Sequence, residues 1–332
     1  MIRRGYRLHT KNLPGRKKNQ ASTYIAQKNT LAIIYGIFRA LILFGLCFLI
    51  VMPIIEKISA SFMGFDDYRD RTVVYIPKHF TFSNYAYAFE LLEYPLTLAV
   101  TFVIVFFSAL LQVCVCTLAA YGFSRYNFPL KKILFLSVFV VILVPPQTIF
   151  GPLYLNFMFF DVFGVIRLIT GNTINLIGRS GGYIVLYAFG MGVKSGLYIY
   201  MLHQYFRTMP KDLEDAADVD GCGRFRTFAQ IVLPDTVPMV VSCFLFSFVW
   251  QWTDSLYTSL FLSKLHVISA QLLSLEGRFA EMWQRRYPLE MMPSPQMTVA
   301  AGILMCLGPL ILIYIFAQRT FVQSISQTGL KM

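Results

Sequence analysis

Apolar and polar residues alternate in long blocks along this chain of 332 residues. Six blocks are almost continuously apolar: residues 31–55, 97–121, 132–156, 182–205, 237–262 and 298–317. At about 1.5 Å per residue, a helix of any of these lengths covers a hydrocarbon layer of ~30 Å. The pattern predicts an all-α polytopic membrane protein with six transmembrane helices. It divides the chain into a basic tail (1–30), a first transmembrane helix (31–55), an extracytoplasmic loop (56–96), a core (97–320) and a C-terminal tail (321–332). The first block is too long for a signal-peptide core and has no small-residue cleavage site, so it is expected to stay as a span.

Composition and charge then orient the chain. At 56% apolar, 16% aromatic and 14% charged, the core belongs in lipid and not in a soluble domain. The tail carries Arg3, Arg4, Arg7, Lys11, Arg16, Lys17, Lys18 and Lys28 without one acid, and supplies most of the net +12. A basic segment next to a span stays on the cytoplasmic side, so with six spans both termini are expected in the cytoplasm. The outer segments carry as many acids as bases, which agrees. A basic run can also bind nucleic acid, but beside a span it is an ordinary topology signal, and no nucleic-acid partner is expected. Arg39, eight positions inside the first span, is placed to snorkel to the interface.

One segment interrupts the pattern. Met209 to Pro234 is a polar island between the fourth and fifth apolar blocks. Pro210 suits a first helical turn, and Asp212, Glu214 and Asp215 follow where acidic side chains favour the positive end of a helix. Gly221 and Gly223 stop that helix. Leu213, Ala216, Ala217 and Asp220 recur on one side of it, and the two alanines leave that side shallow enough for close approach by another protein. Phe225, Phe228, Ile231 and Val232 then recur at three- and four-residue intervals, which predicts a second short amphipathic helix closed by Pro234. The island reads as helix, glycine turn, helix: a docking element within a cytoplasmic segment 206–236.

Asp215-Ala216-Ala217, then Gly221, then Ile231-Val232-Leu233-Pro234 resembles the EAA motif of the membrane subunits of ABC importers. The spacing fits throughout. Asp215 stands where the family usually has Glu, which keeps the charge and shortens the reach by one methylene. Further pieces resemble the maltose-type carbohydrate permeases: Ile76 to Tyr85 after the first span, Trp252-Thr253-Asp254 in the fifth (with Thr for the usual Asn), and Gln318-Arg319 to Lys331 at the end. The resemblance implies the fold of a type I ABC importer permease, a place in a bacterial cytoplasmic (inner) membrane and a function in uptake of a sugar or oligosaccharide. It also implies partners: a second homologous permease, two ATPase subunits that dock on Leu213, Asp215, Ala216, Ala217, Gly221, Ile231, Leu233 and Pro234, and an extracytoplasmic solute-binding protein. ATP with magnesium belongs to the ATPase chains; no cofactor is expected in this one.

Lys194 falls near the middle of the fourth block. A charge there is costly unless it faces a bundle interior or a watery cavity, which makes it a pathway candidate, with Asp254 of the fifth block as a partner. Trp252 beside Asp254 offers an aromatic face and a hydrogen-bonding group, the pairing a sugar ring uses; packing against Phe248 is the rival reading. Pro145-Pro146 should break or kink the third block, and 157–181 reads as an outer re-entrant or loop region. Gly192-Val193-Lys194-Ser195 mimics the end of a phosphate loop but lacks a glycine directly before the lysine. The cysteines and histidines are scattered, so no disulfide framework, metal-ligand spacing or catalytic constellation can be assembled. Two alternatives stay open at this level: an ABC permease for a non-sugar solute such as polyamine or phosphate, and an ion-coupled secondary transporter using Lys194 and Asp254.

Overall fold

The computed structural model describes residues 15–70, 72–287 and 293–329. Arg3, Arg4, Arg7 and Lys11 of the tail and Leu330-Lys331 of the C-terminal pattern lie outside the described residues. Among the described residues there is no strand, only two isolated bridges, Met63 with Phe80 and Phe160 with Ile174. Two compact units divide after Ser59. In the first, α1 (Gly15–Phe62) begins inside the expected tail, and its apolar side chains from Leu31 to Ile55 are exposed, as a lipid-facing span requires.

The second unit is built on α4 (Tyr94–Arg125). Pro95 in its first turn starts the helix, and Thr97, Thr101 and Thr117 donate their hydroxyls to backbone carbonyls four or five residues earlier. These polar side chains are thereby satisfied inside an apolar helix. Around α4 pack α8 (Ser180–Ala188), α9 (Ser195–Thr208) and α12 (Leu233–Thr253), while α5 (Lys131–Leu143) packs on α9. The α5–α9 approach is close because of Gly196: a Cβ there would sit 2.9 Å from the Val138 carbonyl oxygen. Small residues serve membrane helices in this way. Helix α15 (Pro295–Gly329) packs on α12, on α14 (Ile268–Arg286) and on α3 (Ser83–Leu91).

The six expected spans meet the structure unevenly. Four helices among the described residues are long and apolar enough to cross a membrane: Thr30–Phe62, Tyr94–Arg125, Arg224–Thr253 and Pro295–Gln318. The third block is a fifth only if α5 and α6 (Pro146–Met158) count together, since they bend by 107° at Val144-Pro145. The kink expected of the two prolines is there. The fourth block is not one helix. It breaks between Ala188 and Ser195, where Gly190 at φ 68° closes α8 as Gly190 N–H donates to Tyr187 O and Met191 N–H to Leu186 O. The pair of bonds is a Schellman close, which a glycine in the left-handed region makes cheap. The fifth block also stops short: α12 ends at Thr253, and α13 (Leu256–Phe261) starts anew. In the outer region 157–181, α7 (Val165–Thr170) lies between Gly164 and Gly171, both at positive φ.

The segment that follows Phe62 shows why Ile76 to Tyr85 has its residues. Asn84 Nδ2 donates to the carbonyls of Ser61 (3.0 Å) and Met63 (2.9 Å), and the Tyr85 hydroxyl meets Ser61 Oγ. Buried Asp67, in α2 (Phe65–Arg69), takes the His79 backbone N–H at 2.9 Å and the His79 ring at 2.7 Å. Within the second unit the segment thus folds back on Ser61 and Met63.

Candidate functional site

The polar island forms α10 (Asp212–Val219) and α11 (Arg224–Thr227). Asp212, Glu214 and Asp215 occupy the first turn of α10, as its helix dipole favours. At the other end Gly221, at φ 77°, makes a second Schellman close, with Gly221 N–H to Asp218 O at 3.1 Å and Cys222 N–H to Ala217 O at 2.9 Å. Nothing lies within 4 Å of where a Gly221 Cβ would be, so this glycine is there for its backbone and not for room.

The second predicted helix needs correction. Pro234 does not close it. From Arg224 the chain runs helically to Thr253, through a π-helical turn at Phe228–Val232 in which Leu233 N–H reaches back to Phe228 O. Pro234 then sits in the first turn of α12, where its missing N–H and its ring are accommodated by the widened turn before it. Phe228 and Val232 are buried, Phe228 with its ring 4.7 Å from that of Tyr121, but Phe225 points outward and is 81% exposed.

The predicted docking face also splits. Ala217 is buried beneath the element, while Leu213, Asp215, Ala216 and Asp220 face out. Val219, 87% exposed, joins them. Leu213, Val219 and Phe225 therefore stand unpartnered beside acidic residues on a polar element, and of these only Leu213 was picked out by helical spacing as a docking residue.

What holds the element is an ion pair that the motif spacing did not reveal. Arg125, at the end of α4, places Nε 2.6 Å from Glu214 Oε1, with the two side chains 7% and 16% exposed. Its Nη2 donates to Met209 O at 3.3 Å, and Tyr121 donates its hydroxyl to Glu214 Oε2 at 3.1 Å. Above them lies a cavity of about 230 Å³ lined by Lys211, Glu214, Asp215, Asp218 and Arg224 among others. Arg224 lies over the Tyr126 ring at 5.4 Å. Glu214 faces inward to the bundle and Asp215 faces out. The only sequence signal for this division is a lone arginine in the last turn of an apolar helix, 89 positions before the glutamate.

The pathway candidates divide as well. Lys194 is at the break before α9, not within a continuous span, and its Nζ lies over the Trp250 ring at 5.0 Å. Lys194 and Asp254 line one cavity of about 330 Å³, but no ion pair joins them among the described residues. Asp254 Oδ2 accepts the N–H groups of Tyr257 (3.0 Å) and Thr258 (3.3 Å), which ties it to α13. Trp252 is 2% exposed, packs on Phe248 at 5.6 Å and donates its indole N–H to Cys306 O at 3.2 Å, the packing arrangement. Trp250, two positions earlier and 48% exposed, presents its ring to the Lys194 cavity instead.

A helical bundle with membrane-length helices and a polar helical element pinned to the end of its central helix is the architecture of an integral membrane protein. Residues 112–327 match the family described as "Binding-protein-dependent transport system inner membrane component", and the chain belongs to this family. Its relatives include a probable ABC transporter permease protein of Pyrococcus horikoshii, 29% identical over 65% of this chain and 68% of the relative. A galactooligosaccharides transport system permease protein of Bacillus subtilis is 27% identical over 89% of this chain and 95% of the relative. Among solved structures, one chain of a bacterial ABC transporter involved in the import of the acidic polysaccharide alginate aligns with a TM-score of 0.65 at 18% identity, covering 87% of this chain and 96% of that one. At that identity the match shows a shared fold. The protein is an ABC importer permease subunit, not an enzyme.

Proposed function

We propose that this chain pairs with a second, homologous permease to enclose a path for a sugar or oligosaccharide, that two ATPase subunits drive it, and that an extracytoplasmic binding protein delivers the solute. In this reading six spans cross the membrane, the fourth being the broken pair α8–α9, and both termini are cytoplasmic. The observation that carries the proposal is the coupling element. Arg125 and Glu214 fix α10 rigidly to α4, while Leu213, Asp215, Ala216, Val219 and Phe225 are left facing outward. A soluble partner gripping that face would move α4 directly. ATP bound with magnesium in the partner ATPases would draw the coupling elements together and rock the bundle between two packings, inward-facing and outward-facing.

A saccharide cargo is supported by the carbohydrate-type pieces of the sequence and by the galactooligosaccharide permease among the relatives. The test is purification of the tagged chain in mild detergent from its own host, with mass spectrometry of what co-elutes. An ATPase and a second permease of similar length are expected. A chain that elutes alone and transports without ATP overturns the proposal.

A further inference from the structure

Three helix interruptions meet at one place. Pro146 and Gln147 at the α5–α6 bend, Lys194 at the α8–α9 break, and Asp254 at the α12–α13 break all line the cavity of about 330 Å³ described above, with Trp250 on its wall. Irregular backbone at membrane depth is tolerated where it is buried in protein or borders a watery cavity, so three breaks converging on one cavity mark a built site. One of these breaks, between α8 and α9, is also held open. Gln112 of α4 donates its amide to Val193 O at 2.9 Å and to Ser195 Oγ at 2.8 Å, and it accepts Ser247 Oγ and Gln251 Nε2 from α12.

Lys194 gives the cavity its chemistry. The Asp254 carboxylate is committed to α13, and among the described residues no carboxylate lies within 4 Å of the Lys194 ammonium, which rests over the Trp250 ring. Lys194 also has φ 65°, a left-handed conformation that glycine adopts freely and a residue with a Cβ resists. Four positions earlier in the same break, at φ 68°, the chain uses Gly190. A lysine is thus kept where the backbone favours glycine; strain of this kind gathers at functional positions. An exposed indole face beside an ammonium with no carboxylate partner fits a ring that carries an acid group.

We propose that this cavity takes a uronate unit of an acidic saccharide, its carboxylate on the Lys194 ammonium and its C–H face on Trp250. The inference rests on the saccharide reading above and narrows the cargo to its acidic class. The experiment uses the assembled importer with its partner subunits in proteoliposomes. ATP-dependent uptake is measured for trisaccharides of galacturonate, glucuronate and mannuronate and for neutral maltotriose. Lys194→Gly removes the ammonium and relaxes the backbone, so it should accumulate and melt like the parent. With at least one uronate trisaccharide it should raise the half-saturating concentration by roughly tenfold to a hundredfold, the loss expected for one charge-assisted hydrogen bond. Lys194→Arg should retain most of the affinity. Uronate uptake unchanged in Lys194→Gly overturns the proposal. Uptake of maltotriose alone also overturns it and leaves saccharide import standing; if no saccharide moves or stimulates ATP hydrolysis, both readings fall.

Discussion

Arg125 Nε and Glu214 Oε1 lie 2.6 Å apart, joining the last turn of α4 to the first turn of α10 across 89 positions of sequence. Both side chains are largely shielded, and Tyr121 and the Met209 carbonyl complete the cluster. The pair is therefore a link between the bundle core and the element proposed to meet the ATPase.

Removing one side of a buried pair leaves the other charge uncompensated. Arg125→Ala should destabilise the α10 region by about 3 kcal/mol and uncouple ATP hydrolysis from uptake without preventing membrane insertion. Hydrogen exchange of residues 209–223, together with uptake and ATPase rates, checks this. Arg125→Lys should be only partly tolerated, because one ammonium cannot span both Glu214 and the Met209 carbonyl. Wild-type coupling in Arg125→Ala would remove the link.

Gly221 has open space around it and φ 77°. Gly221→Ala should therefore cost about 1–2 kcal/mol through the backbone alone, with Gly221→Asn milder. Gly221→Arg adds bulk beside the proposed docking face and should abolish uptake while the chain still inserts. Surface expression and uptake, measured together, separate the two effects.

The segment 63–82 should respond to acid. Burial on its own would raise the Asp67 carboxyl, but the His79 backbone N–H and ring hold it below the ordinary carboxylate value. A folded-state pKa below the unfolded one contributes stability above the unfolded pKa, near 4, which is lost as pH falls through the folded value. Limited proteolysis of residues 63–82 should be flat from neutral pH down to about 4 and rise below it. In Asp67→Asn it should already be raised at neutral pH. A cut rate that climbs between pH 7 and 5 would contradict the assignment.

Gln112 serves two helices and one break. Gln112→Leu leaves Val193 O without its amide donor, at about 1–3 kcal/mol for a group left unsatisfied, and takes one bond each from Ser247 Oγ and Gln251 Nε2, which keep their 2.9 Å bond to each other. The detergent-solubilised protein should melt several degrees lower, and cysteine accessibility at position 194 should change. Gln112→Glu, which keeps the acceptor and loses the donor, should fall between.

Hydrophobic blocks in the sequence are enough to define an all-α membrane protein, because a helix is the only way a single block can satisfy its own backbone in lipid. The position of the polar helix α10 is equally legible, since the acidic first turn and Gly221 act through local rules of helix capping, although Pro210 lies before the N-cap Lys211 and not in the first turn. Three things are not local. Pro234 looks like a terminator, yet the preceding turn widens to i→i−5 bonding and the helix continues, a choice made by the packing of Phe228 and Val232. Lys194 looks intramembrane within one helix, but Gly190 and the reach of Gln112 across to Val193 O open the chain there. Glu214 and Asp215 are neighbours of the same charge, and helical spacing gives no reason to send one inward and the other out. Only the tertiary fold, by bringing Arg125 beneath α10, divides their roles; likewise it buries Trp252 against Cys306 and leaves Trp250 to face the cavity. Periodicity determines which residues share a face, but what that face meets depends on segments brought from far along the chain.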